Sequence, residues 1–167
     1  MIDVRIATSD DAATVARILG ESYPLLLAGH YEPSLLARAL PLMVHANPRL
    51  LVSGTYYLAS IDGRAAGCGG WSHEEPGTGK MEVGVAHLRH FAVARDWTKR
   101  GVGKALFTRC EAEARAAGVK RLFCDSTLNG QAFYVALGFG SPKPMQMALA
   151  PDLLFPGIRL RRTIWRP

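Results

Sequence analysis

A run of basic residues and glycines in the middle of the chain has the composition of an anion-binding turn. The run is Arg95-Asp96-Trp97-Thr98-Lys99-Arg100-Gly101-Val102-Gly103-Lys104, and it separates a strand-like segment from a helix-like one. Glycines let a ligand approach the backbone closely, and the first amides of a helix attract anions. Because Lys99, Arg100 and Lys104 add positive charge, the run predicts a site for a phosphate or pyrophosphate.

Two common nucleotide-binding motifs do not fit this run. A Walker loop requires glycine where the chain has Thr98, and Ser or Thr where it has Ala105. A dinucleotide fingerprint requires a third glycine where the chain has Leu106. A lone G-x-G also occurs in tight turns before helices, so the run alone does not identify its ligand.

A second segment downstream makes the pattern specific. Its sequence is Asn129-Gly130-Gln131-Ala132-Phe133-Tyr134-Val135-Ala136-Leu137-Gly138-Phe139. In order and spacing, this segment, the Phe91-Ala92-Val93 strand end and the turn from Arg100 to Leu106 resemble the core motifs of the GCN5-related N-acetyltransferase (GNAT) family. The resemblance is strong over residues 81–139 and looser elsewhere. It implies an enzyme that moves an acetyl group from acetyl-CoA to an amine, with acetyl-CoA as cosubstrate and no metal.

The resemblance also implies which residues hold the cofactor. In the family the sheet opens near the position of Val93, and the pantetheine arm lies in the gap like another strand. The implied contacts are backbone groups of Phe91, Ala92 and Val93, the amides of Thr98, Lys99, Arg100, Gly101, Val102, Gly103 and Lys104, and the side chains of Asn129, Phe133 and Tyr134. Thr98 stands where the family often has glutamine or arginine, so Arg95, Lys99 or Arg100 would replace that contact.

Attack of an amine on a thioester needs a neutral nucleophile, an oxyanion donor and a proton for the leaving thiolate. Tyr134 resembles the family tyrosine that serves the leaving sulfur, and a backbone N–H near Val93 is the expected oxyanion donor. His87 falls where the histone-acetylating branch of the family has its glutamate. On a regular strand it shares a face with Val93. We therefore expect His87 to be the base, since histidine accepts protons near neutral pH.

Other assignments of the base and of the acceptor contact are open. Glu82, Glu74 and Glu75 are alternative bases, and so is a chain of water molecules. Arg89 either orients an anionic substrate or pairs with an acid on the surface.

The elements before these motifs are predicted from periodicity and punctuation. Ile2–Ile6 alternates as a strand, and a helix capped by Thr8 or Ser9 follows and ends at Pro24. A second helix begins at Pro33 and is kinked or broken at Pro41. The region 23–48 forms an apolar wall or lines a substrate pocket.

The remaining elements complete an α/β (α+β) fold. Asp62-Gly63 joins two antiparallel strands over 55–61 and 64–72. The further predictions are a strand over 81–93, a helix over 101–117, a strand over 119–124, a short helix over 130–137 and strands near 144–149 and 158–165. The resulting GNAT-like fold is a single domain over residues 1–167. It has a mixed, mostly antiparallel sheet of about seven strands with a parallel splayed pair, flanked by about four helices.

Composition restricts the class of protein. The 167 residues are 49% hydrophobic and 20% charged, which is typical of a globular chain. Cys68, Cys110 and Cys124 form no C-x-x-C pair, so neither a disulfide framework nor a zinc site is expected. The absence of a signal-like N-terminus or long apolar run favours a cytoplasmic protein without membrane contact. The net charge of +6 favours anionic ligands.

Three function classes follow from these patterns. The leading one is an acetyl-CoA-dependent N-acetyltransferase that acts on a primary amine of a small molecule or peptide, as a monomer or homodimer. The alternative is a non-catalytic module that binds or senses acyl-CoA. Nucleic-acid binding through the basic C-terminal end is not expected, because no nucleic-acid-binding motif accompanies the charge.

Overall fold

A seven-stranded mixed sheet organises the chain in the computed structural model, which describes residues 1–165. Its strands lie side by side in the order β1-β2-β3-β4-β5-β7-β6. Only β4 and β5 run parallel; the other neighbours are antiparallel. This sheet confirms the predicted fold class. The strands are β1 (Ile2–Ile6), β2 (Tyr56–Ile61), β3 (Arg64–Ser72), β4 (Val85–Val93), β5 (Arg121–Ser126), β6 (Gly140–Ala150) and β7 (Leu153–Thr163).

Helices cover both faces of the sheet. Helix α4 packs its apolar side on one face, and α1 packs on the other face against β3 and β4. Helix α2 lies beside α1 and covers part of β6 and β7. None of the helices described is long and apolar enough to cross a membrane. The helices are α1 (Ala12–Leu27), α2 (Pro33–Met43), α3 (Pro48–Leu51), α4 (Val102–Ala116) and α5 (Gln131–Ala136).

The parallel pair separates soon after it forms. Strands β4 and β5 pair only over Val85–His87 and Arg121–Phe123. Beyond these residues β4 stays paired with β3, and β5 stays paired with β7. The later residues of β4 and β5 therefore stand apart, and the predicted splayed pair is confirmed.

A bulge in β4 changes which way its side chains point. Two residues of β3, Cys68 and Gly70, pair with Ala92 and Arg89, so β4 carries one extra residue at this point. His90 has φ of +48°, in the left-handed region. Before the bulge Leu88 packs under α4, and after it Val93 packs on the same side. The prediction that His87 and Val93 share a face is therefore wrong, because the bulge reverses the alternation between them.

Two prolines do not end their helices as predicted. Helix α1 continues through Pro24 to Leu27, and α2 runs unbroken through Pro41 to Met43. A proline removes the hydrogen bond to the carbonyl four residues earlier. Those carbonyls belong to Gly20 and Ala37, which are exposed, so water can hydrate them. The buried sides of both helices remain packed.

Other boundaries differ from the predictions in smaller ways. Strand β4 starts at Val85 instead of residue 81, because Gly84 lies in a turn with φ of +76°. Strands β6 and β7 are longer than predicted, and α3 was not predicted. The Asp62-Gly63 hairpin is confirmed. Thr8 caps as predicted, but it caps a 3-10 turn (Ser9–Asp11) that leads into α1, and its Oγ1 accepts from Asp10 N at 3.3 Å.

Candidate functional site

A cleft of about 440 Å³ opens where β4 and β5 separate. Its walls are formed by β4 and its bulge, the start of α4, the end of β5, the N-terminal part of α5 and the end of α1. Of the predicted cofactor-binding residues, all but Arg100 line it: Phe91, Ala92, Val93, Thr98, Lys99, Gly101, Val102, Gly103, Lys104, Asn129, Phe133 and Tyr134. The segments 91–104 and 129–134, which are separated in the sequence, therefore line the same cleft.

The turn before α4 brings the first residues of the helix to the wall of this cleft. Lys99 and Gly101 have φ of +59° and +85°, which reverses the chain and starts the helix. The hydrogen bond from Ala105 N to Gly101 O spans 2.9 Å and closes the first turn. The earlier amides, those of Val102, Gly103 and Lys104, belong to residues that line the cleft. Lys99 and Lys104 add positive charge there, an arrangement suited to an anion.

Arg100 points elsewhere. Its guanidinium lies over the Trp97 ring, 5.1 Å from the ring centroid. This stacking holds Arg100 outside the set of lining residues.

Glycine at position 103 permits a close approach between α4 and α5. A Cβ on Gly103 would lie 2.8 Å from Cζ of Phe133. The Phe133 ring in turn meets the Tyr134 ring edge to face, with centroids 5.1 Å apart. The glycine therefore allows α4 and α5 to pack closely, which brings Tyr134 near the anion-binding turn.

Tyr134 is a protonated phenol in the wall of the cleft. Its ring packs edge to face with Phe139 at 5.9 Å and against the core under α4. Burial raises the pKa of Tyr134 well above its usual value. The hydroxyl therefore keeps its proton throughout the range in which the protein would work.

Two buried polar atoms of cleft residues have no hydrogen-bond partner within residues 1–165. They are Oγ of Ser22 on α1 and Oδ1 of Asn129 just before α5. Buried polar atoms are normally paired, by protein, water or ligand. An amide N–H of a bound ligand would satisfy Asn129 Oδ1.

The bulge of β4 is held by two tyrosine hydroxyls. Tyr23 donates to the carbonyl of Phe91 at 3.1 Å, and Tyr56 donates to the carbonyl of His90 at 2.9 Å. Both carbonyls are therefore engaged within the protein. The sequence analysis missed Ser22, and it included Tyr23 only as the first residue of the region 23–48, without a role of its own. A signal was present, since Ser22 continues the buried stripe of Ile18 and Leu19 at helical spacing.

A second cleft of about 610 Å³ adjoins the first. The two share Tyr23, Leu88, Arg89, His90, Asp125 and Thr127. The second is enclosed by the 73–80 loop, the end of α2 and strand β6. A molecule there would lie next to the opening of the sheet.

Arg159 ties together the acids of the second cleft. Its Nε and Nη2 donate to the two carboxylate oxygens of Asp125 at 2.6 and 2.9 Å, and its Nη1 donates to Glu75 at 2.6 Å. The Thr78 hydroxyl and Arg159 hold the pKa of Glu75 below its usual value. Both carboxylates are therefore engaged by one guanidinium within the protein. The sequence analysis missed Asp125 and Arg159, because no local pattern links them.

His87 lines neither cleft. It is 6% exposed, its ring stacks on Phe123 with centroids 5.7 Å apart, and Nδ1 has no partner in the part of the chain described. Burial, aided by Arg159, lowers the pKa of His87. The imidazole is therefore neutral near pH 7.

Of the three alternative bases, Glu75 alone lines a cleft. Glu74 and Glu82 are exposed and line neither cleft. Glu75 lines the second cleft, but its carboxylate is bound to Arg159.

Comparison with known proteins gives one family and many similar folds. A sequence profile described as the acetyltransferase (GNAT) family matches residues 16–139. Comparison with curated protein sequences gives no match.

Three solved structures illustrate the likeness of fold. The PaiA N-acetyltransferase of Thermoplasma acidophilum, in complex with coenzyme A, has 17% identity and a TM-score of 0.72, covering 98% of this chain and 99% of that one. A GCN5-related N-acetyltransferase of Rhodopseudomonas palustris has 19% identity and a TM-score of 0.71, covering 96% and 94%. The ribosomal-protein-S18-alanine N-acetyltransferase of Escherichia coli has 17% identity and a TM-score of 0.65, covering 100% and 96%. With the family match spanning most of its length, the chain belongs to the acetyltransferase (GNAT) family and is an acyltransferase.

Proposed function

We propose that this protein is an acetyl-CoA-dependent N-acetyltransferase that transfers the acetyl group by direct attack of a primary amine. The observation that carries the proposal is the pair of adjoining clefts at the opening between β4 and β5. The first has an anion-binding turn and a protonated tyrosine in its walls. The second shares residues of β4 and β5 with the first at this opening, as an acceptor site would.

The residues of the first cleft fit coenzyme A. The amides of Val102, Gly103 and Lys104, with Lys99 and the Lys104 side chain, are suited to its phosphates. The unpartnered Oδ1 of Asn129 is suited to an amide N–H of the pantetheine arm. When bound, acetyl-CoA supplies an acyl group activated as a thioester.

The chain's own groups then serve the transfer. The backbone of β4 after the bulge borders the opening at Ala92 and Val93. An N–H near Val93 is the group that would donate to the developing oxyanion. Tyr134 donates its hydroxyl hydrogen to the leaving sulfur, because its raised pKa keeps it protonated. No covalent intermediate on the protein is needed.

For removal of the amine proton we propose His87, acting through water. Its Nδ1 is free to accept a hydrogen bond, and its lowered pKa keeps the imidazole neutral. A water is needed because the His87 side chain does not reach the wall of either cleft. Glu75 is less suited to this role, since Arg159 already binds its carboxylate and lowers its pKa.

Binding is tested first, by calorimetric titration with acetyl-CoA. Gly101→Glu places a carboxylate at the anion-binding turn and should abolish binding. Gly118→Glu is the matched control, because Gly118 also has a positive φ, of +84°, and has open space around it outside both clefts. Absence of saturable binding by the wild type would refute the proposal.

Turnover then separates an enzyme from a binding module. With thiol release as the assay, Tyr134→Phe should lower kcat by about 100-fold, a typical effect of losing a general acid. Its affinity for acetyl-CoA should stay nearly unchanged. Tyr57→Phe is the control, since Tyr57 is buried in the core and lines neither cleft. Equal turnover by wild type and Tyr134→Phe would remove Tyr134 from the mechanism.

A further inference from the structure

The charged groups of the second cleft are unequally paired. Arg159 is bound by the carboxylates of Asp125 and Glu75. Arg89, which lines both clefts, makes no ion pair within residues 1–165. Its Nη1 donates instead to the hydroxyl of Ser72 at 2.9 Å, and that hydroxyl donates to the carbonyl of Glu74 at 2.8 Å.

Arg89 is only partly accessible to solvent. Burial lowers the pKa of its guanidinium; the carboxylates of Glu74 and Asp125 offset this in part from a distance, but neither forms an ion pair with Arg89. A half-buried cation of this kind favours an anionic partner. The Ser72 hydrogen bond fixes one end of the planar group and leaves other N–H donors available to a carboxylate.

The rest of the second cleft adds a further cation and an apolar wall. Lys143 on β6 lines it and makes no ion pair among the residues described. The lining side chains Arg89, Lys143 and Arg159 carry three positive charges against the two carboxylates of Asp125 and Glu75, both of which bind Arg159, so the cleft has a net positive charge. The apolar wall consists of Leu42, Met43, Met145, Met147 and Leu149.

We infer that the acceptor is a small amino acid with an apolar side chain, whose carboxylate is bound by Arg89. This inference rests on the proposed function. The amine loses one proton, attacks the thioester carbon and forms the C–N bond. The nitrogen then loses a second proton as the C–S bond breaks, and the thiolate takes one proton, so that the amide and the free thiol form with net release of one proton. Polycationic acceptors such as polyamines are disfavoured, because the cleft repels added positive charge.

The test compares amino acids with their carboxamides, which keep the amine and side chain but lack the charge. The pairs are methionine with methioninamide and leucine with leucinamide, with spermidine as a polycation, all assayed by thiol release. For the wild type we expect kcat/KM for the acid to exceed that for the amide by about 100-fold, as for a charge pair withdrawn from water. Spermidine should be the poorest acceptor.

Variants test whether Arg89 is the source of the preference for the acid over the amide. Arg89→Met should raise KM for the acids and reduce the acid-to-amide ratio by about 100-fold, while kcat/KM for the amides changes little. Arg89→Lys should recover part of the ratio. Arg64→Met is the matched control, because Arg64 is an exposed strand arginine outside both clefts. Comparing ratios between proteins cancels the difference in amine pKa between acid and amide.

The outcomes separate failure of the inferred acceptor from failure of the proposed enzyme. Thiol release with amides or spermidine at rates equal to or above those of the acids would overturn the inference and leave the N-acetyltransferase intact. An unchanged acid preference in Arg89→Met would overturn the role of Arg89. Binding of acetyl-CoA without thiol release for any of these amines would count against the proposed enzyme and the inference together.

Discussion

The bulge histidine makes folding stability depend on pH in a defined window. His90 lies between the two clefts with its backbone in the left-handed region. Burial, with smaller effects from Arg89 and His45, lowers its pKa from 6.5 to about 4. Lowering the pH from 7 to 4 therefore tests the effect of protonating His90 on folding stability.

The sign and size of the effect follow from proton linkage. The unfolded chain protonates this histidine near pH 6.5, whereas the folded protein leaves it neutral down to about pH 4. Between these values the unfolded state binds more protons, so the free energy of unfolding falls as the pH falls. At about 1.4 kcal/mol for each pKa unit, the difference corresponds to about 3 kcal/mol, most of which is lost by pH 4.

Urea unfolding of the wild type and His90→Asn at several pH values measures this loss. Asparagine tolerates a positive φ, so the variant removes the titrating group and keeps the backbone. The wild type should lose about 3 kcal/mol more than the variant between pH 7 and pH 4. The contributions of His87, Asp11 and Glu75 are common to both proteins and cancel. His30→Asn, at an exposed position, should follow the wild type. Parallel losses in wild type and His90→Asn would refute the reasoning.

Two further predictions concern packing and the proposed base. Gly70→Ala should lower the free energy of unfolding by about 3 kcal/mol in urea titrations, as expected for overpacking against backbone. The added Cβ would lie 2.3 Å from the Thr55 carbonyl oxygen and 2.7 Å from Tyr56 Cα. The control Gly20→Ala, which meets nothing within 4 Å in α1, should not destabilise, and equal stability of the two variants would contradict this account. For the base, the wild-type profile of kcat/KM should fall on the acid side with a pKa below 6.5, because burial lowers the pKa of His87. His87→Gln should lower kcat/KM at pH 7 by about 100-fold and remove that limb, and a limb that persists in the variant would exclude His87.

Local chemistry made several elements predictable from the sequence. Thr8 caps the first turn because its hydroxyl can reach a nearby amide, and Asp62-Gly63 favours the hairpin because both residues accept positive φ, here +50° and +77°. Gly101 and Gly118 bound α4 for the same reason. These signals lie within a few residues of the structure that they specify.

Other features depend on contacts that the sequence does not mark. The bulge at His90 is held by hydroxyls of Tyr23 and Tyr56, which are 34 or more residues away. Because the sequence does not mark the bulge, simple alternation wrongly places His87 and Val93 on the same face of β4. Arg159 likewise joins Asp125 and Glu75 across separations of 34 and 84 residues. Such pairs form only when the sheet brings β5, β7 and the 73–80 loop together.

Pairing over only three positions gives this sheet four open edges instead of two. The inner edges are formed by β4 after His87 and by β5 after Phe123, which face each other across the cleft. An open strand edge invites association with another chain. The left-handed residue at position 90 interrupts the regular ladder on the β4 side, so that this edge cannot accept a long straight strand. The bulge therefore makes the inner edge of β4 a poor partner for a further straight strand.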